Sequence, residues 1–324
     1  MTPRWPPLPR RLPRTPAPLR HETYESYLAR LAAANRLSFD DLDEIAHLYD
    51  DDPASLDQLA ALTGYPAAAL LHAIPELFHH QAIDTTALDG SSPTPRDFIN
   101  DIRPPCRRCA AAAGADPGTA RVWATHDACV CVRHQLWIGE GNDQPSHQLA
   151  LGPHPDIVHA QIRHQRIVRC RGRPAARDAF HAARGLWSAM STTPGYSSQR
   201  DTRAARACAQ ASAAAEEAVS NAVTYPETVA FTAILASPHW RATVLSRKPA
   251  DNQRFHHEFR RRVAAGHHEN GYPRSLFWIR RDLERSCSGT DDTGPYPPPQ
   301  PARPPLRRGL PPGTGTRPIS RDAS

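Results

Sequence analysis

The sequence predicts a mainly α fold, and three observations lead to this prediction. Apolar residues recur with helical spacing along most of the chain, paired Cys and Cys/His motifs lie near its middle, and half of the 34 prolines lie in the two ends. The predicted domains are a disordered Pro/Arg lead, a helical domain with a helix-turn-helix module, a small zinc ribbon, a basic helical domain and a disordered Pro/Gly-rich tail. Their boundaries are 1–20, 21–100, 101–150, 151–287 and 288–324.

The net charge of +6 is distributed unevenly along the chain. Residues 1–20 carry +5, residues 21–100 carry −11, residues 101–287 carry +10 and residues 288–324 carry +2. All but one of the 39 basic residues are arginine, as in proteins from GC-rich genomes, so the position of the arginines is more informative than their number. The basic block after the acidic one favours a nucleic-acid contact in the second half.

The composition also indicates a cellular compartment. The chain has no run of about 18 apolar residues, and its first twenty residues lack the apolar centre of a secretory signal. We therefore expect a cytoplasmic protein that makes no membrane contact. In that compartment, seven cysteines favour metal ligands or unreactive thiols over a disulfide framework.

Two helices are predicted before residue 50. The first has a buried face formed by Tyr24, Tyr27, Leu28 and Leu31, which are spaced i, i+3, i+4, i+7. The second starts at Ser38, which forms a capping box with Asp41.

Residues 55–75 predict two further helices joined by a short turn. Ser55 starts the first helix, with Gln58 as its capping partner; Gly64 ends that helix and Pro66 starts the second. The angle between them would be filled by Leu56, Leu59, Leu62, Leu70 and Ile74. This pattern is typical of a helix-turn-helix, but the second helix has no Arg, Lys, Asn or Gln with which to read bases. DNA reading and protein docking are both open for this module, and the acidic surroundings favour docking.

A metal site is predicted from two knuckles that are 21 residues apart. A two-residue gap lets both ligands of a knuckle reach one ion from a tight turn, and zinc prefers four such ligands in a tetrahedron. The four ligands would be Cys106, Cys109, Cys131 and His134. The alternatives, if this register is wrong, are His126 and Cys129. With all four positions occupied by protein, one structural zinc ion is expected in a ribbon of short strands.

A basic helix is predicted over residues 156–170. Its buried stripe contains Ile157, Ala160, Ile167 and Val168, and its opposite face carries arginines. Residues 161–184 contain seven arginines and one aspartate, which favours contact with a phosphate backbone. The predicted nucleic-acid contacts are Arg163, Arg166, Arg169, Arg171 and Arg173. Beyond this segment we predict a helix over 204–223 that ends at Tyr225-Pro226-Glu227, and a last helix near 274–286.

Motifs of catalysis are absent from the sequence. It has no Gly-rich phosphate loop, no Gly-x-Ser-x-Gly elbow and no His-Glu-x-x-His pair. We therefore expect no enzymatic activity.

In their order along the chain, these features resemble the TniQ family of transposon-associated proteins. The resemblance covers roughly residues 8–190. It rests on Leu12-Pro13, Glu22, Glu25 to Ala32, Asn35, Leu59-Ala60, Leu62 to Gly64, Cys106 and Cys109, Trp123, Val130-Cys131, His134, Gln161, Arg163-His164, Arg166 and Arg169.

The resemblance implies a non-catalytic protein that selects where a transposon inserts. Such proteins link a target, either DNA or an RNA-guided complex, to an AAA+ ATPase that recruits the transposase. The resemblance also implies that the two knuckles bind zinc. Residues 135–151 lack the further cysteines that many members have, so a single zinc site is expected. Self-dimerisation is a further possible partnership. The alternative function is a zinc-containing helix-turn-helix transcription regulator, and a zinc hydrolase is a third.

Overall fold

Helices dominate the described residues, as the sequence predicts. The computed structural model describes residues 10–46, 54–80, 98–191, 198–208, 215–246, 248–263 and 279–281. The tail at 288–324 and most of the helix predicted near 274–286 lie outside these ranges. No helix in the described part of the chain is long and apolar enough to span a lipid bilayer.

The N-terminal helices are α1 (Tyr24–Asn35), α2 (Phe39–Ala46), α3 (Ala54–Thr63) and α4 (Ala67–Ala73), followed by a 3₁₀ turn at Pro75–His80. The Ser38 hydroxyl accepts a hydrogen bond from Asp41 N at 3.0 Å, so the predicted cap forms. Gly64 ends α3 with a φ of +72°, a conformation that favours glycine. The predicted leucines and Ile74 form one buried core with Tyr27 of α1.

Residues 10–20, part of the Pro/Arg lead, lie along this helical core as an extended segment that we call the strap. Leu12 N donates to Leu62 O at 2.8 Å. Asn35 holds Arg14 through both backbone groups, at 3.0 Å to its N and 2.6 Å to its O. The hydroxyl of Tyr27 in α1 donates to Pro16 O, and that of Tyr65 in the α3–α4 turn donates to Thr15 O. The composition of this segment did not predict these contacts.

The middle of the chain forms two small antiparallel sheets and one short helix. Strand β1 (Phe98–Arg103) pairs with β2 (Val122–Thr125), and β3 (Val130–Cys131) pairs with β4 (Leu136–Trp137). Helix α5 (Arg107–Ala112) follows β1. The first knuckle therefore leads into a helix and not a strand, which differs from our expectation of two knuckles on strands.

The C-terminal half is a set of helices packed around α9. These helices are α6 (Pro155–Arg171), α7 (Arg173–Ser191), α8 (Ser198–Cys208), α9 (Glu216–Leu235), α10 (Pro238–Leu245) and α11 (Pro249–Arg262). Helix α9 contacts α6, α7, α8, α10 and α11. The largest buried side chains here are Trp187, Phe231, Phe255 and Phe259.

The prediction of a helix over 204–223 that ends at Pro226 is wrong. Pro226 lies inside α9, which continues to Leu235. Proline lacks the N–H that a helix interior needs and disturbs the carbonyls of the preceding turn. The carbonyl that loses its donor is Ala222 O, four residues before Pro226. Next to it, buried Arg203 of α8 donates to Val223 O and pairs with Glu227, which ties this turn of α9 to α8.

A buried carboxylate joins the strap, α1 and the middle sheet. Glu22 is fully buried, pairs with Arg30 at 2.7 Å and accepts hydrogen bonds from Leu19 N and the Ser26 hydroxyl. The same Ser26 oxygen accepts from Arg121 N, next to β2. Glu22 also forms an antiparallel bridge with Val122 in β2. One carboxylate therefore fixes where three segments meet.

We predict that Glu22→Gln lowers the free energy of unfolding by about 3 kcal/mol, because it leaves the Arg30 guanidinium buried without a charged partner. Urea unfolding followed by circular dichroism measures this change. The matched control is Glu25→Gln, which removes an exposed carboxylate from the first turn of α1. Equal unfolding midpoints for the two variants would contradict the assignment.

Candidate functional site

The four predicted metal ligands come together in the structure. Their ligand atoms all lie within 4.8 Å of one another. Cys109 Sγ is 3.7 Å from Cys131 Sγ, and His134 Nδ1 is 3.3 to 3.6 Å from the three sulfurs. Zinc–ligand bonds of about 2.3 Å to sulfur and 2.0–2.1 Å to nitrogen place tetrahedral neighbours about 3.8 and 3.6 Å apart. The donor set and its spacing therefore fit a zinc ion.

Local backbone structure presents each ligand pair. Cys106 is the N-cap of α5 and Cys109 lies in its first turn. Cys131 ends β3, and His134 N donates to Cys131 O at 3.2 Å in the tight turn that follows. The alternative ligands lie elsewhere: the Cys129 thiol is buried and donates to His126 O. The Cys106/Cys109/Cys131/His134 register is the one that the fold assembles.

Residues 142–148 support the first knuckle from one side. Asn142 donates to Pro104 O at 3.3 Å, and Gln148 donates to Pro105 O at 2.7 Å. Gln148 also accepts from Arg107 N at 2.9 Å. The sequence analysis did not find these two amides, since neither lies in a motif with the cysteines. These two amides hold the backbone on both sides of Cys106 and so help to position its thiol near the other ligands.

The three thiols of the cluster have different pKa values. A hydrogen bond from the Cys131 thiol lowers the pKa of Cys106 to about 4, and the same bond together with burial raises the pKa of Cys131. Burial also raises the pKa of Cys109. Since metal ligation needs thiolates, binding of zinc must displace protons from the cluster, and zinc affinity falls as the pH is lowered.

Gln161 of α6 attaches this helix to strand β3, which carries Cys131. This fully buried side chain accepts hydrogen bonds from Cys129 N at 3.1 Å and Val130 N at 2.9 Å, and it donates to Asp127 O. Tyr225 of α9 donates its hydroxyl to the same Gln161 oxygen at 3.0 Å. The strand that carries Cys131 is therefore fixed to the basic helix.

His164, one turn after Gln161, completes this buried group. Its Nδ1 lies 2.9 Å from the Tyr225 hydroxyl, and its ring stacks on Phe180 with centroids 4.6 Å apart. Burial lowers the pKa of His164 to about 3, so the ring is neutral at physiological pH. Its position in the core makes it a structural residue.

Helix α6 has the two faces that the sequence predicts. Ile157, Ala160, Ile167 and Val168 are buried. Arg163, Arg166, Arg169 and Arg171 are exposed, and none of the four forms an ion pair with another described residue. We call these four side chains the arginine face. Ile162 lies beside them and is 47% exposed.

Arg173 is placed differently from the other four predicted arginines. Its side chain is only 6% exposed, and its Nη1 lies 2.6 Å from Asp127 Oδ1. Burial alone would raise the pKa of Asp127, but the Arg173 guanidinium and other neighbouring groups together lower it below its usual value. Arg173 therefore anchors the start of α7 to the metal module, and we do not include it in the arginine face.

We predict that Cys106→Ser lowers the bound zinc per chain and loosens residues 104–137, because structural zinc supplies folding free energy. Elemental analysis and limited proteolysis measure the two effects. The matched control is Cys170→Ser, which changes an exposed cysteine outside the cluster. Unchanged zinc content in Cys106→Ser would refute the ligand assignment.

Comparison with known proteins agrees with the resemblance seen in the sequence. The TniQ family model matches residues 13–137. This range begins in the strap, includes α1 to α5 and all four metal-site residues, and ends in β4. No curated protein and no solved structure matches the chain. Residues 13–137 of this chain are therefore similar to a TniQ domain.

Proposed function

We propose that the chain is a non-enzymatic targeting protein of transposition, which links recognition of a target site to an AAA+ ATPase and a transposase. The TniQ domain at residues 13–137 carries this proposal. The target is a DNA site or an RNA-guided complex, and the partners act on chromosomal DNA, so we place the protein in the cytoplasm.

The arginine face supports a direct contact with duplex DNA. Four exposed guanidinium groups lie within nine residues of one helix, or about 12 Å at 1.5 Å per residue. Contacts with phosphates need positive charge, and the four arginines supply it at closely spaced positions. The alternative is that the arginine face is an ordinary solvent-exposed surface. Such surfaces usually carry both signs of charge, whereas the only acid in α6 is Asp156, which pairs with Arg203.

The metal centre has a structural part in this proposal. One zinc ion bound by three cysteines and one histidine has no open position for a reacting water, so it would hold the fold and perform no chemistry. Through Gln161, the same ion would keep the arginine face in place.

We predict that the double variant Arg166→Gln/Arg169→Gln weakens duplex binding and reduces the slope of log K against log salt by about 2. Each lost phosphate contact removes about 0.9 from that slope. Fluorescence anisotropy with one labelled duplex between 50 and 200 mM salt, concentrations that separate slopes well, gives the value.

The control for this experiment is Arg206→Gln/Arg254→Gln, which removes two exposed arginines from α8 and α11. If both double variants change the slope equally, the effect is one of net charge, and the arginine face is not the DNA contact.

A second prediction concerns the protein partners. An AAA+ ATPase and a transposase encoded beside the gene for this chain should give insertion at a preferred site only when this chain is present. Sequencing of insertion products from a reaction with purified proteins measures the preference. Insertion that is equally site-specific without the chain would overturn the proposal.

The alternative function, a transcription regulator, makes a different prediction. Such a protein would select one operator sequence from random DNA through its helix-turn-helix, without an ATPase. Selection followed by sequencing tests this alternative, and a selection that yields no preferred sequence would rule it out.

A further inference from the structure

The strap crosses the turn between α3 and α4. Leu12 bonds to Leu62 at the end of α3, and the Tyr65 hydroxyl in the turn reaches Thr15 O at 3.2 Å. The Arg11 side chain lies over Gly64, where an added Cβ would be 2.6 Å from Arg11 Nε. The strap therefore brings positive charge to the helix-turn-helix from a different part of the sequence.

The arginine side chains of the strap are exposed. Arg11, Arg14, Ala17 and Arg20 are exposed, whereas Leu12, Thr15 and Pro18 are half-buried. The strap thus presents these three exposed arginines on a segment whose backbone is held by hydrogen bonds.

The local charge at this position differs from that of the whole domain. Residues 10–20 contain four arginines and no acid, and residues 58–75 contain no acid either. The exposed positions of α4 are Ala68, Ala69 and His72, which are small or neutral. None of Arg11, Arg14 and Arg20 forms an ion pair with another residue in the described ranges. The strap and the turn therefore form a basic surface, although the turn belongs to the acidic block of residues 21–100.

We propose that Arg11, Arg14 and Arg20 of the strap bind the phosphate backbone of a nucleic acid beside the helix-turn-helix. This proposal deepens the proposed function, on which it rests, by adding a second contact far from the arginine face in sequence. Several exposed guanidinium groups on a backbone held by hydrogen bonds suit a polymer whose charges repeat, and a duplex carries one charge per about 1.7 Å of its axis. Acidic side chains of a protein partner have no such regular repeat.

The test compares two double variants of the full-length chain. Arg11→Gln/Arg14→Gln removes two strap charges and leaves the backbone hydrogen bonds to Asn35 and Leu62 in place. Arg206→Gln/Arg254→Gln removes two exposed charges from helices outside the TniQ domain. Salt titration of duplex binding should give a slope reduced by about 2 for the strap variant and unchanged for the control. Thermal unfolding confirms that both variants remain folded.

The outcomes separate this proposal from the proposed function. If the wild-type slope is steep and Arg166→Gln/Arg169→Gln lowers it while the strap variant does not, the strap proposal is overturned and the proposed function stands. If the wild-type chain shows no salt-dependent duplex binding, both are overturned. If the strap variant loses binding to polyglutamate but keeps its DNA slope, the strap contacts an acidic protein, and the phosphate proposal is wrong.

Discussion

The metal site and the arginine face are connected by the hydrogen bonds of one side-chain amide, that of Gln161. An amide has one acceptor oxygen and two donor hydrogens, and Gln161 uses both kinds of group, with Cys129 N, Val130 N and the Tyr225 hydroxyl on the oxygen and Asp127 O on the nitrogen. In a fully buried position each of these bonds is costly to leave unmade. The strand before Cys131 and the helix with the arginine face therefore hold one fixed arrangement.

The same region explains why arginines that are neighbours in sequence have different roles. Arg171 ends α6 and faces solvent, whereas Arg173 starts α7 beneath it, with Gly172 at a φ of +78° between them. The turn at Gly172 directs the chain back towards the metal module, where Asp127 provides a carboxylate for Arg173. A charged side chain is rarely buried without such a partner.

The features that the sequence predicted correctly depend on residues that are close in sequence. The faces of α6 follow from helical spacing within 15 residues, and each metal knuckle follows from a two-residue gap. The features that it did not predict depend on distant partners. Leu12 finds its acceptor at Leu62, and Arg203 of α8 donates to Val223 O in the turn of α9 that precedes Pro226. No local pattern contains either pair.

The net charge of a sequence block, like a local pattern, does not show which distant residues the fold brings together. The value of −11 for residues 21–100 favoured protein docking by the helix-turn-helix, because the sum assigns its acids to the whole block. The fold separates them: the acids of α2 lie on a different helix from α4, and the strap, which belongs to another block, lies across the turn. Screening limits the reach of exposed charges to about 10 Å, so the nearest side chains determine what this surface attracts. At the turn between α3 and α4, one of those side chains is Arg11 of the strap, which lies over Gly64.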